Sequence, residues 1–137
     1  LIRAATLGDI PQLLAMGQRF ADRAGLVDHV GYEPADMAET FRLLIEGHVI
    51  FLGEAGALGA MAGPHPFNHS HIIAQELFWW SEGREGLRLL AAFEDWARER
   101  CHSIRMITLE AVEPDRTARI YGRRGFVPLE RGFIKVF

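Results

Sequence analysis

Apolar residues recur along this chain at two spacings, every three to four residues and every two, and the points where one gives way to the other mark out its elements. The run Ile2-Arg3-Ala4-Ala5 reads as a short first strand. Thr6 or Asp9 then offers a helix cap, and Leu13, Leu14, Met16 or Gly17, and Phe20 continue one face, which predicts a helix from about residue 9 to about residue 23. Residues 25–34 read as a loop. Glu33-Pro34 suits a helix start, and Met37, Phe41, Leu44 and Ile45 give a second helical face that ends at Gly47. Val49 to Glu54 and Ala57 to Gly63 follow as two strands joined by a tight turn at Ala55-Gly56, which makes a hairpin.

The rest of the chain is organised around residues 72–100. Ile72 to Trp80 is an apolar, β-branched and aromatic run with one carboxylate, the pattern of a buried strand. Ser81-Glu82-Gly83-Arg84-Glu85-Gly86 carries turn chemistry, and Leu87, Leu90, Phe93, Trp96 and Ala97 then recur at helical spacing to about Arg100. A glycine-bearing strand-to-helix turn gathers N–H groups and the positive helix end at one spot, which suits a phosphate or diphosphate. Ile104 to Leu109 alternates as a fifth strand, Pro114 opens a short helix that Gly125 stops, and residues 126–129 and 132–137 read as a closing pair of strands. There is no internal repeat, linker or low-complexity segment.

Composition narrows the picture to one domain. At 137 residues, 49% hydrophobic and 24% charged, the chain is long enough to bury roughly two-thirds of its unfolded surface in a single core. Glu46, Glu54 and Glu76 interrupt every apolar run short of membrane-spanning length, so no membrane association is expected. Cys101, the one cysteine, forms no internal disulfide, which favours a reducing cytoplasm. The net charge of −3 argues against general nucleic-acid binding, and it is unevenly spread. Residues 1–80 carry four Arg against nine acids, a balance of −5, whereas residues 81–137 carry eleven Arg plus Lys against nine acids, a balance of +2. The later half would suit an anionic ligand and the earlier half a neutral or cationic one.

The element order, together with Ala118, Tyr121 and Gly125-Phe126 and with the helix start Leu87-Arg88-Leu89-Leu90, resembles the GCN5-related N-acetyltransferase (GNAT) superfamily over essentially the whole chain. The resemblance implies an α/β fold, mixed α+β, with a mostly antiparallel central sheet of six to seven strands and about four helices. It implies acetyl transfer from acetyl-CoA to a primary amine, without a metal. It assigns cofactor binding to the fourth strand and the turn after it, here Leu77, Phe78, Trp79, Trp80, Ser81, Gly83, Arg84, Gly86 and Leu87, and to Asp115 and Ala118 on the late helix. The family's turn usually reads Gln or Arg, two residues, Gly, one residue, Gly or Ala. Counted back from Gly86, Arg84 stands at the first glycine and Ser81 at the Gln/Arg position, which would draw Trp79 and Trp80 out of the strand and into the turn; counted forward from the strand, the turn is shorter than the family's.

Two residues are candidates for catalysis. Glu76, the only ionisable group in the central strand, would lie on the side of Phe78 and Trp80, where burial would raise its pKa towards that of a general base; the alternative is a solvent-facing or arginine-paired carboxylate. Tyr121 is the residue that the family resemblance makes the proton donor to the departing thiolate; the alternative is a core tyrosine with a satisfied hydroxyl. Arg84, Arg88, Arg116, Arg119, Arg123 and Arg124 are candidates for phosphate. Glu82 and Glu85 oppose a diphosphate but suit a first helical turn, for which Ser81 would be the N-cap.

His65, His69 and His71 raise a metal reading, which lacks any accompanying cysteine or His-Glu-x-x-His pair, so a polar loop over residues 64–71 is expected instead. That loop and the one at residues 25–34 bring Asp28, Glu33, Tyr32 and Phe67 to an acidic half-chain, which predicts a small or peptide-borne cationic amine as acceptor. A homodimer is compatible with this reading. A different class of function is a non-catalytic GNAT-fold module that has lost the diphosphate turn and uses exposed Trp79 and Trp80 as interface anchors.

Overall fold

The computed structural model describes all of residues 1–137. Its elements are β1 (Arg3–Ala4), a 3₁₀ turn (Leu7–Asp9), α1 (Ile10–Arg23), α2 (Leu26–Val30), α3 (Pro34–Gly47), β2 (Val49–Leu52), β3 (Gly56–His65), β4 (Asn68–Ser81), α4 (Gly86–Arg100), β5 (Ser103–Arg105) and α5 (Pro114–Arg123). They form one five-stranded sheet in the order β1-β2-β3-β4-β5, antiparallel throughout except for the parallel pair β4/β5.

Each face of the sheet carries its own core. Leu13 and Met16 of α1 and Phe41 and Leu44 of α3 pack on one face against Ile50, Ala57, Phe78 and Trp80. Leu89, Leu90, Phe93 and Ala97 of α4 and Tyr121 of α5 pack on the other against Val49, Leu58, Ala60 and Ala74. The apolar spacing that predicts α1, α3 and α4 is therefore the spacing of residues that reach the sheet. Gly125, in the left-handed region at φ 89°, follows α5 as expected, because a residue there without a Cβ avoids the usual steric penalty.

Several expectations need correction. The sheet has five strands rather than six or seven, flanked by five α-helices rather than four. Residues 126–129 and 132–137 form no strand, and the predicted strand at 104–109 is the three-residue β5, after which the chain leaves β4. Residues 64–71 are the end of a long β3–β4 hairpin rather than a loop, and residues 25–34 contain α2.

The pairing of β3 with β4 contains one bulge that decides the chemistry. Gly59 pairs with Phe78 and Ala60 with Glu76, so Leu77 faces no residue of β3. Cross-strand partners share a face. The pairs Ala57/Trp80 and Gly59/Phe78 lie towards α1 and α3, whereas Ala60/Glu76 and Ala62/Ala74 lie towards α4 and α5. Glu76 is thus on the face opposite Phe78 and Trp80, because the extra residue shifts the alternation by one.

Gly59 gives Phe78 the room it uses: a Cβ there would stand 2.3 Å from Phe78 Cζ. That ring has nowhere to go, being stacked on Trp80 at 4.4 Å and met edge-on by Phe41 at 5.6 Å. Gly59→Ala is expected to cost about 1–3 kcal/mol through overpacking, read as a lower urea midpoint at unchanged m-value. An unaffected midpoint would show that the core beside the bulge is loosely packed.

Candidate active site

β4 and β5 pair only from Ile73/Ser103 to Gln75/Arg105. Beyond that point they part, and Glu76 to Ser81 have no strand on the β5 side. His102 fastens the closed end of this gap: its N–H donates to Ile72 O at 2.8 Å, and its Nδ1 accepts the Ile72 N–H at 2.9 Å. The gap exposes main-chain groups in the middle of a sheet, where they can bind a ligand in place of a neighbouring strand.

Glu76 stands at the start of the gap. It is 4% exposed, and its Oε2 has no hydrogen-bond partner. Burial pushes its pKa up to about 8, with the Ile107 main-chain amide working in the opposite direction. A carboxylate of this kind is half-ionised at mildly alkaline pH, which is the condition for a general base.

Tyr121 is also buried and close enough for Glu76 to influence it electrostatically. Burial first, and the Glu76 charge second, raise its pKa well above the ordinary phenol value. Its hydroxyl donates to Ile107 O at 2.6 Å, and its ring lies 5.9 Å from Trp79 and 5.3 Å from Phe126. Ile107, which has left the sheet just after β5, therefore engages both candidate catalytic residues through its main chain. Sequence reasoning missed it because the role belongs to a peptide group rather than to a side chain.

The turn between β4 and α4 disposes of its own acids. Arg19 of α1 reaches Glu82 with two donors, at 2.6 and 3.3 Å, and holds that carboxyl below its ordinary value. Glu85 turns back to accept the N–H groups of Glu54 and Ala55 at 3.0 and 3.4 Å, filling space that a Cβ on Gly53 would block. Ser81 is not the N-cap of α4; its hydroxyl bonds Gly83, and Glu85 occupies the cap position without a side-chain bond. The N–H groups of Gly86, Leu87 and Arg88 have no acceptor within the chain, since the first helical bond runs from Leu89 to Glu85. They are open donors at a positive helix end.

Of the arginines, Arg124 is committed to Glu94 through two bonds of 2.7 and 2.8 Å, and Arg116 to Glu113 at 3.3 Å. Arg84, Arg88, Arg119 and Arg123 make no side-chain ion pair. Leu87 and Asp115 lie exposed in the first turns of α4 and α5, Ala118 lies exposed at the start of the second turn of α5, and Trp79 Nε1 donates to Gly86 O at 3.1 Å. Trp80 is buried and Trp79 half-buried, so neither offers the exposed anchor expected of an interface module. His71 binds Ser103 Oγ at 2.7 Å, and no group of three or more His, Cys, Asp or Glu side chains is arranged to hold a metal ion. Cys101 is half-buried, its thiol pushed up by that burial. No helix is long and apolar enough to cross a membrane.

No protein-family model matches the chain, and no curated protein matches it. Solved structures do. A transcriptional regulator from Bacillus halodurans C-125 is 23% identical over 100% of this chain and 99% of its own, with a TM-score of 0.75. A protein of Arthrobacter sp. FB24 proposed to be an acetyltransferase is 23% identical over 100% and 91%, at 0.73. A Clostridium acetobutylicum protein predicted to be an acetyltransferase, with acetyl-CoA in its structure, is 15% identical over 98% and 94%, at 0.70. Likeness at these identities shows the fold alone, one that this chain shares with all three structures.

Proposed function

We propose that this chain is an acetyl-CoA-dependent N-acetyltransferase that acts on a primary amine by direct transfer. The observation that carries the proposal is the buried Glu76 carboxylate, with an unpartnered oxygen, beside Tyr121 at the point where β4 and β5 separate. An isolated buried carboxylate is costly to keep, and such groups concentrate at functional sites.

The residues present fit the co-substrate. The open N–H groups of Gly86, Leu87 and Arg88, with Arg84 and Arg88 beside them, suit its diphosphate, while Glu82 and Glu85 are engaged elsewhere. The unpaired edge of β4 from Leu77 to Trp80 suits its amide-bearing arm. The thioester supplies the acetyl carbon and the thiol leaving group. Ionised Glu76 takes the proton from the acceptor's nitrogen, directly or through water. Main-chain donors on the β4 edge polarise the carbonyl, and the nitrogen–carbon bond forms as the carbon–sulfur bond breaks. Tyr121, held protonated by its surroundings, turns its O–H from Ile107 to the sulfur.

Calorimetry with acetyl-CoA tests the proposal. Saturable binding within the range of about 1 µM to 1 mM usual for enzyme substrates is expected, followed by acetyl transfer to at least one amine of a panel. No binding up to millimolar ligand would overturn it. A second reading, a non-catalytic GNAT-fold module, draws on the short turn, in which Ser81 already occupies the Gly83 N–H. Binding with no transfer to any amine would favour that reading.

A further inference from the structure

We propose that the acceptor is a small primary amine carried on an apolar body, and that it binds in a cavity between the C-terminal half of α3, β3 and the bulge of β4. The cavity, about 550 Å3, is lined by Leu43, Met61 and Leu77 together with Glu46 and His48. Those three apolar side chains are 54%, 43% and 40% exposed. Single exposed apolar residues are ordinary, but three that converge on one concavity of small-ligand size are a place for an apolar group.

The charge of the cavity selects what that group carries. Glu46 is the one charged residue in the lining. It binds Arg42 at 2.6 Å, but Arg42 also binds Glu39, so the trio keeps one net negative charge. The Nδ1 of His48 accepts the Ala62 N–H at 3.2 Å and is thereby committed within the chain. A cation is therefore favoured over an anion.

Leu77 connects this cavity to the chemistry. It is a wall of the cavity, the residue of β4 that faces nothing on β3, and part of the edge that β5 leaves open, next in sequence to Glu76. The bulge thus sets the acceptor wall on the α3 side and the base on the α4 side of one strand, so in this proposal the amine nitrogen reaches Glu76 around the β4 edge that β5 leaves open, not across the strand. The inference rests on the acetyltransferase reading for its chemistry, and it places the acceptor at α3 rather than at residues 25–34 and 64–70.

The test is a titration of the full chain, labelled at Met and Leu methyl groups, with hexylamine in the absence of acetyl-CoA. Saturable shifts of the Met61, Leu43 and Leu77 methyls are expected, with binding of 1-hexanol and of spermidine each weaker by about fivefold or more, the scale of one ion pair or one apolar contact set. Leu43→Lys, at a half-exposed helix position, is expected to weaken hexylamine about tenfold or more while acetyl-CoA binding stays unchanged. Absent methyl shifts, equal binding of hexanol, or faster acetylation of a lysine peptide than of hexylamine would each overturn the inference. Methyl shifts without any acetyl-CoA binding would instead overturn the acetyltransferase reading and leave the cavity as an amine site.

Discussion

Glu76→Gln is expected to lower kcat/KM by about 10²- to 10⁴-fold, the usual contribution of a general base, and at the same time to make the protein more stable at alkaline pH. Both effects come from one desolvated carboxylate. In the folded chain its pKa stands at about 8 against an ordinary 4.5, so between those values the folded state holds a proton that the unfolded state has released. For a raised acid the unfolded state binds fewer protons, and stability falls as pH rises from about 4.5 to above 8. Glutamine keeps the shape and carries no charge. The variant's advantage should therefore grow across that window and level off above it at up to roughly 5 kcal/mol, an upper bound set by the size of the shift. Wild-type kcat/KM should rise with pH through an apparent pKa near 8 when the amine used is well more basic than that. A variant that retains this limb and its rate would remove Glu76 from the mechanism, and parallel stability curves for the two proteins would show that the carboxylate is not desolvated.

The elements that the sequence made legible are those whose side-chain period is also their packing period. α1, α3 and α4 end within a residue or two of their predicted bounds because Leu13, Phe41 and Phe93 lie on faces that the sheet must cover. Strand pairing is a different matter. Phe133 to Phe137 has high β-propensity, yet it pairs with nothing, since propensity describes fit to a pleated surface and not the presence of a neighbour. The bulge was hidden for a more specific reason. Ala74, Glu76, Phe78 and Trp80 are all buried, so the alternation runs on without a break while the face changes between Glu76 and Phe78. In a sheet covered on both sides, burial cannot report which side a residue faces. Identity as a carboxylate in an apolar strand was enough to single out Glu76, but not to bring it to Tyr121. The partners of Glu82 and Glu85 were equally out of reach, because Arg19 and the Glu54–Ala55 turn meet them only through the tertiary fold.

Tyr121→Phe separates chemistry from packing at the same site. The ring contacts with Trp79 and Phe126 survive the substitution, and only the O–H bond to Ile107 is lost. A merely structural hydroxyl would then cost about 1 kcal/mol through the unsatisfied carbonyl, a fall of a few degrees in Tm, and leave kcat nearly unchanged. A hydroxyl that assists the leaving sulfur gives a different pattern. Its raised pKa makes complete transfer to a thiolate uphill, so its assistance is greatest where sulfur is most basic and fades as the thiol becomes more acidic. Tyr121→Phe is accordingly expected to lower kcat about 100-fold with acetyl-CoA, with the affinity for acetyl-CoA and the KM for the amine little changed. With an acetyl thioester of a markedly more acidic thiol the same substitution should cost less than about tenfold, because the leaving group then needs little help. The pH limb assigned to Glu76 should persist in the variant, moved slightly if at all. A loss of kcat that is the same for both thioesters would assign Tyr121 to holding Ile107 in place, and a kcat within about threefold of wild type would exclude it as the donor.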